Sequence, residues 1–134
     1  MITGGTVKKI SAERMKDMPN NGSEVNIRVG TVKFDKTKLT ISYTYEINYK
    51  PDVAKMTIEG EIVFEESEKD IKNTKEQWEK SGQLPENMSS DLLTAMTYTC
   101  SAIGTLLAFG INVNAPINVP RAKLMPAPET KPAG

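Results

Sequence analysis

Apolar and polar residues alternate strictly through three stretches of the first half of the chain. Val25, Ile27 and Val29 interleave with Glu24, Asn26 and Arg28. Leu39, Ile41, Tyr43, Tyr45, Ile47 and Tyr49 interleave with Thr40, Ser42, Thr44, Glu46 and Asn48. Met56, Ile58, Ile62 and Phe64 share a face with Gly60, opposite Lys55, Thr57, Glu59 and Glu61. Successive side chains on a strand point to opposite faces, so each stretch predicts a strand with one covered and one solvated side. The predicted strands are 25–34, 39–49 and 55–64, and Val7 to Ile10 adds a short one before them. Asp35-Lys36-Thr37-Lys38 and Lys50-Pro51-Asp52 read as reversals, and Pro19-Asn20-Asn21-Gly22 as a turn.

The period changes at Ser67. Ser67 with Asp70 three residues on forms a capping-box variant, and Ile71, Thr74 and Trp78 lie along one helical face. Lys80-Ser81-Gly82 supplies a cation and a terminating glycine. A second, longer helix is predicted over 86–109. Leu93, Met96, Cys100, Ile103 and Leu107 recur at steps of three and four as an apolar stripe. Thr94, Thr97, Ser101 and Thr105, with Tyr98 beside them, form a hydroxyl-bearing stripe opposite. From Leu92 to Pro120 no residue is charged. That segment is long enough to cross a bilayer, which takes about 20 residues. Its hydroxyls and the closing Asn112 and Asn114 argue instead for a helix lying on the sheet, with its other face against a second subunit or left neutral in a monomer. The expected class is α+β: a four-stranded antiparallel meander covered on one face by the long C-terminal helix, with a short connecting helix. The expected organisation is one domain over 1–124 and a flexible proline-rich tail over 125–134.

Composition narrows the function. Lys plus Arg and Asp plus Glu both number 17, so the net charge is zero. The basic excess of a phosphate-backbone binder is missing, so no nucleic-acid partner is expected. A neutral surface permits self-association. With no histidine and the single Cys100, a structural zinc site has no ligand set, and no metal or cofactor is expected. The lone cysteine suits a reducing compartment, and the opening residues lack the apolar run of a signal peptide, which points to the cytoplasm. Asn21-Gly22-Ser23 and Asn87-Met88-Ser89 are then chance sequons.

Taken together, the strands 25–34, 39–49 and 55–64, the helix 86–109 and the extended "INVNAPINVP" resemble the SecB family of export chaperones over residues 5–124. Pro116-Ile117-Asn118 matches that family's local pattern after the long helix. The spacing Tyr49…Gly60…Trp78…Cys100…Pro116-Ile117-Asn118-Val119-Pro120 resembles small uncharacterised SecB-like proteins. The resemblance implies the fold, an oligomer (dimer or tetramer) and a polypeptide-binding, non-catalytic role. The export chaperones are acidic and this chain is neutral, so coupling to a translocase is not implied. A phage- or toxin-linked adaptor that binds one folded partner is the alternative role.

Rings and methionines suit a surface that grips unfolded chains. Tyr43, Tyr45, Tyr49, Trp78, Met88 and Met125 are therefore the candidate polypeptide-binding residues, although the tyrosines share the apolar face of their strand, which favours core or subunit interface over a ligand groove for any one of them. Thr94, Thr97, Tyr98, Ser101 and Thr105 are the candidate subunit interface. Catalysis has little to build on. Cys100 falls on the apolar stripe with no histidine to activate it, and Glu59 and Glu61 lie on the polar strand face near Lys55. No enzyme is expected.

Overall fold

The computed structural model describes residues 1–115 of the 134 in the chain. The described elements run β1 (Ile2–Arg14), β2 (Ser23–Phe34), β3 (Lys38–Tyr49), β4 (Ala54–Glu65), α1 (Glu68–Ser81) and α2 (Glu86–Ile111). All strand pairings are antiparallel, in the order β1-β4-β3-β2. The expected four-stranded antiparallel sheet with a long covering helix is therefore present.

β2, β3 and β4 follow one another as a meander. β1 does not join it next to β2 but pairs with β4, in a Greek-key order. The link from β1 to β2 crosses the end of the sheet along the β3–β4 reversal. Met15 and Lys16 amides donate to the Val53 carbonyl, Asn21 N donates to Lys50 O, and Lys50 N donates to Gly22 O. That reversal contains a cis Lys50–Pro51 peptide and Asp52 at a φ of 54°. β1 spans 13 residues, far more than Val7 to Ile10. As an edge strand it has little buried surface, and register shifts after Ile2 and Val7 break its period.

The two central strands supply most of the core. Leu39, Ile41, Tyr43, Tyr45, Ile47 and Tyr49 of β3, and Met56, Ile58, Ile62 and Phe64 of β4, are all buried on one face. The opposite face is polar and laced by ion pairs. Lys8 meets Glu61 at 2.8 Å, and both Arg28 and Lys55 meet Glu46 at 3.2 Å. The Asn48 amide and the Lys55 ammonium hold the Glu46 carboxyl below its usual range. The glutamates of this face, Glu59 and Glu61 included, line a solvated surface.

α1 begins as expected. Ser67 Oγ accepts from the Asp70 amide at 3.2 Å, and Gly82 closes the helix in the left-handed region at a φ of 67°. Ile71 and Thr74 are its buried residues. α2 buries a different stripe from the expected one. Met88, Leu92, Met96, Cys100, Gly104 and Ala108 recur at intervals of four, while Leu93 is exposed and Ile103 and Leu107 are half-buried. A row of i, i+4 positions drifts around a helix by about 40° per step, which lets a straight helix follow a twisted sheet.

The C-terminal end of α2 is tied to the sheet from two sides. Its last turn carries no basic residue. Arg14 of β1 supplies the cation, donating to the Ile111 carbonyl at 3.1 Å and the Asn112 carbonyl at 2.7 Å, and also to Met18 O at 3.2 Å. Tyr49 Oη donates to Asn114 O at 2.6 Å. Among the described residues no buried side-chain nitrogen or oxygen lacks a hydrogen-bond partner.

Candidate functional site

Strands about 4.8 Å apart place the outer strands of a four-stranded sheet about 14 Å from each other, and one helix is only about 10 Å across. A single helix must leave part of the apolar face open. α2 makes its closest backbone approaches to β1 and β4, so the open part lies toward β2. Val25, Ile27 and Val29 of β2 face the same side as their partners Ile47, Tyr45 and Tyr43. The central-strand residues are buried, whereas Val25 and Val29 are exposed and Ile27 is half-buried.

A groove of about 780 Å³ lies there. Ile27 and Val29 form its floor, Leu92, Leu93 and Met96 of α2 one wall, and Trp78 with Leu84 its end. Trp78 lies in the last turn of α1, which closes at Gly82, whose amide donates to the Trp78 carbonyl at 2.8 Å. Gln77, Gln83, Glu86 and Ser89 supply a polar rim. Beside the floor runs the outer edge of β2, which no strand pairs among the described residues. An apolar floor next to open backbone donors and acceptors is the arrangement that accepts an extended peptide. A smaller space of about 260 Å³ lies on the other side of α2, between Ala95 and Thr99 and the first residues of β1.

The predicted binding residues divide. Trp78 lines the groove. Tyr43, Tyr45 and Tyr49 do not form an accessible row. They lie buried in the core with α2, because β3 is a central strand whose apolar face is fully covered. Burial pushes the Tyr43 and Tyr49 hydroxyls up to about 12; Cys100 beside Tyr43 and Tyr45 beside Tyr49 add to the effect. Tyr45 is raised by the same burial and by Cys100, with a hydrogen bond to Ser101 opposing. Cys100 itself is buried and its thiol is pushed up to about 11, the setting of an inert thiol. Met88 is also buried, beside Phe64 and Thr74 rather than at the groove. Met125, the Pro116-Ile117-Asn118-Val119-Pro120 segment and the tail 125–134 lie outside the described residues.

The predicted interface residues divide as well. Thr94, Thr97 and Tyr98 face outward. Ser101 and Thr105 are half-buried and turned inward. Ser101 lies beside Tyr45, and Thr105 Oγ1 donates to the Ser101 carbonyl of its own helix at 2.7 Å. The outward surface is instead apolar, with Tyr98, Leu106 and Phe109 exposed by 83%, 73% and 80%. By length and composition alone α2 is a helix that passes for a membrane span. No cluster of metal-ligating side chains occurs among the described residues.

The residues missed by sequence reasoning are Ile27, Val29, Leu84, Leu92, Leu93 and Met96. Their signal is an edge strand as apolar on one face as the central strands, in a chain with a single long helix to cover four strands.

No protein-family model matches the chain, and no curated protein matches it. Among solved structures it is similar to the SecB-like chaperone Rv1957 of Mycobacterium tuberculosis, solved in complex with a ChAD peptide from the Rv1956 HigA1 antitoxin. The superposition has a TM-score of 0.58 and 10% identity, and covers 86% of this chain and 82% of that one. The chain thus has a SecB-like fold, as its order of strands and helices implies.

Proposed function

We propose that this chain is a polypeptide-binding protein of the cytoplasm that works by holding extended, apolar segments and performs no chemistry. The observation that carries the reading is the groove between α2 and β2, with its floor of Ile27 and Val29, its Trp78 end and the open β2 edge beside it. Side chains of a bound segment would enter the groove, and its backbone would pair along β2. The buried single thiol suits a reducing compartment. That the SecB-like neighbour was solved with a peptide supports the reading.

Two ligand classes fit, and the size of the groove favours one. A space of about 780 Å³ holds only a few side chains. That suits a short motif in one partner better than a long unfolded client, and the neighbour was solved with a peptide from one protein, an antitoxin. Trp78 is the chain's single tryptophan and so reports on the groove directly. Extended peptides rich in aliphatic and aromatic residues, titrated into the full chain, should shift Trp78 emission to the blue. Val29→Asp should weaken that binding at least tenfold without altering the melting curve. Binding of many unrelated peptides with similar affinity identifies a general holdase, and strong preference for one motif identifies an adaptor. No response from any peptide, or binding untouched by Val29→Asp, refutes the groove.

A further inference from the structure

We propose that the chain's own segment Pro116–Pro120 lies along the apolar strip of β2 beside α2, so that an extended peptide must displace it to use the whole groove. The consequence for peptides rests on the peptide-binding reading above; the contact itself does not.

The path of the chain out of α2 aims it there. The Ile111 and Asn112 carbonyls accept from Arg14 of β1, an edge strand. The backbone then turns through the left-handed region at Asn112, with a φ of 57°, and the Val113 amide donates back to Ala108 O. Two residues after Asn112, the Asn114 carbonyl accepts from Tyr49 of β3 at 2.6 Å. In the order β1-β4-β3-β2 the bonds have passed from β1 to β3, and the next strand in that direction is β2. Tyr49 pairs with Ser23, so the chain stands near the start of β2. From there Val25, Ile27 and Val29 lead along the open side of α2. Val25 and Val29 stay 40% and 39% exposed, on a face that is buried along β3 and β4.

The segment matches this strip in length, shape and charge. Six residues of strand from Ser23 to Val29 span about 20 Å, and the six steps from Asn114 to Pro120 cover about 19–20 Å when extended. Ile117 and Val119 are two apart, so an extended backbone turns both to one side. Ala115 and Val119 each precede a proline, which biases them toward extended backbone and lowers the cost of ordering the segment. Pro116 and Pro120 have no amide hydrogen to leave unpaired against apolar surface. No residue of the segment is charged, and Arg121 and Lys123 follow at once. Among the described residues lining the groove, the one that carries a charge is Glu86, of the opposite sign. Tethering selects this occupant over a separate chain. Joined to Asn114 through Ala115, the segment meets the strip at an effective concentration in the millimolar range, which a second copy or a free peptide would have to match.

Thiol alkylation of the full chain tests the contact. Cys100 is fully buried, so an added cysteine is the one that iodoacetamide reads. Ile117→Cys should react about tenfold more slowly than Thr130→Cys, which lies beyond the segment. Val25→Asp and Val29→Asp, each combined with Ile117→Cys, should restore the fast rate with an unchanged circular dichroism spectrum. The protection should not change on dilution. Apolar peptides titrated against Trp78 emission should bind Val119→Asp about tenfold more tightly than wild type. Equal alkylation rates at the two cysteines overturn the proposal. So does protection that survives both aspartates, protection lost on dilution, or peptides that bind wild type and Val119→Asp alike. If peptides bind neither protein while Ile117→Cys stays protected, the peptide-binding reading fails and the contact stands.

Discussion

Replacing Gly60 with alanine places a methyl group where the sheet has no room for one. Gly60 lies in the middle of β4, opposite Tyr43 on β3 and Val7 on β1. A Cβ at Gly60 would come to 2.6 Å from the Thr6 carbonyl oxygen, 2.7 Å from Tyr43 Oη and 2.9 Å from Tyr43 Cζ. Two different strands therefore crowd the site. Glycine inside a strand ordinarily weakens it, and alanine at an open glycine position stabilises a protein by about 0.4–1 kcal/mol through the unfolded chain. Here the sign should reverse. The Tyr43 ring lies across the bare Gly60 backbone, so a methyl must displace both that ring and the β1 backbone. Overpacking of this kind costs about 1–3 kcal/mol. For a domain of this size the melting temperature should fall by roughly 3–9 °C.

Urea denaturation of wild type, Gly60→Ala, Tyr43→Leu and the double variant resolves the two contacts. In the Tyr43→Leu background the alanine should cost less, because the ring is gone. It should not become neutral, because Thr6 O remains. A difference of at least ~0.5 kcal/mol between the two backgrounds is the expected coupling. A Gly60→Ala protein as stable as wild type, or more so, refutes the packing argument. So does a penalty identical in both backgrounds.

Arg14→Ala should cost about 1–3 kcal/mol, since it leaves the Ile111 and Asn112 carbonyls without their charged donor. Hydrogen exchange should speed up around Ala108 to Val113 and little elsewhere, and uniform acceleration would contradict a local cap. Stability should also fall at high pH. Cys100 ionises near 9 and the tyrosines near 10 when unfolded, but folded Cys100 is held to about 11 and Tyr43 and Tyr49 to about 12. Between those limits the unfolded chain loses protons that the native chain keeps, so each group subtracts up to about 1.4 kcal/mol per pH unit. Urea midpoints should be level below pH 8 and decline from pH 9 upward, with Cys100→Ala removing the earliest part. A midpoint unchanged to pH 11 counts against the burial of these groups.

The central strands and both helices are legible in the chain because their periods are unbroken. The alternation of 39–49 and 55–64 ends where β3 and β4 end, to within a residue, and Ser67 and Gly82 cap α1 as their chemistry dictates. α2 begins at 86 and runs two residues past the predicted end. β1 is not legible at full length, because an edge strand with bulges need not alternate. Its pairing with β4 depends on a link that threads along the Lys50–Val53 turn, and no local pattern encodes that path. Alternation also assigns Tyr43, Tyr45 and Tyr49 to one face without saying that α2 covers it. The two faces of α2 were blurred for a related reason. Steps of three and four describe a helix on a flat surface, whereas a twisted sheet selects a drifting row of fours, and Leu106 and Phe109 fall outside both expected stripes.

The limited width of one helix connects these findings. A helix laid over the middle of a four-stranded sheet would leave two shallow strips of apolar surface, one along each edge strand. α2 is drawn to one side, with Arg14 of β1 bonded to its C-terminal carbonyls and its nearest approaches to β1 and β4. The displacement leaves a space of about 260 Å³ beside β1 and a larger one of about 780 Å³ beside β2, where Trp78 and Leu84 wall off the end. The wider groove lies next to the β2 edge, which no strand pairs among the described residues. The same displacement does not change what α2 presents outward, because Tyr98, Leu106 and Phe109 lie on the side of the helix away from the sheet. Leu93 borders the groove, while the neighbouring Thr94 is exposed and is not among the groove's lining residues, so adjacent residues border different surfaces.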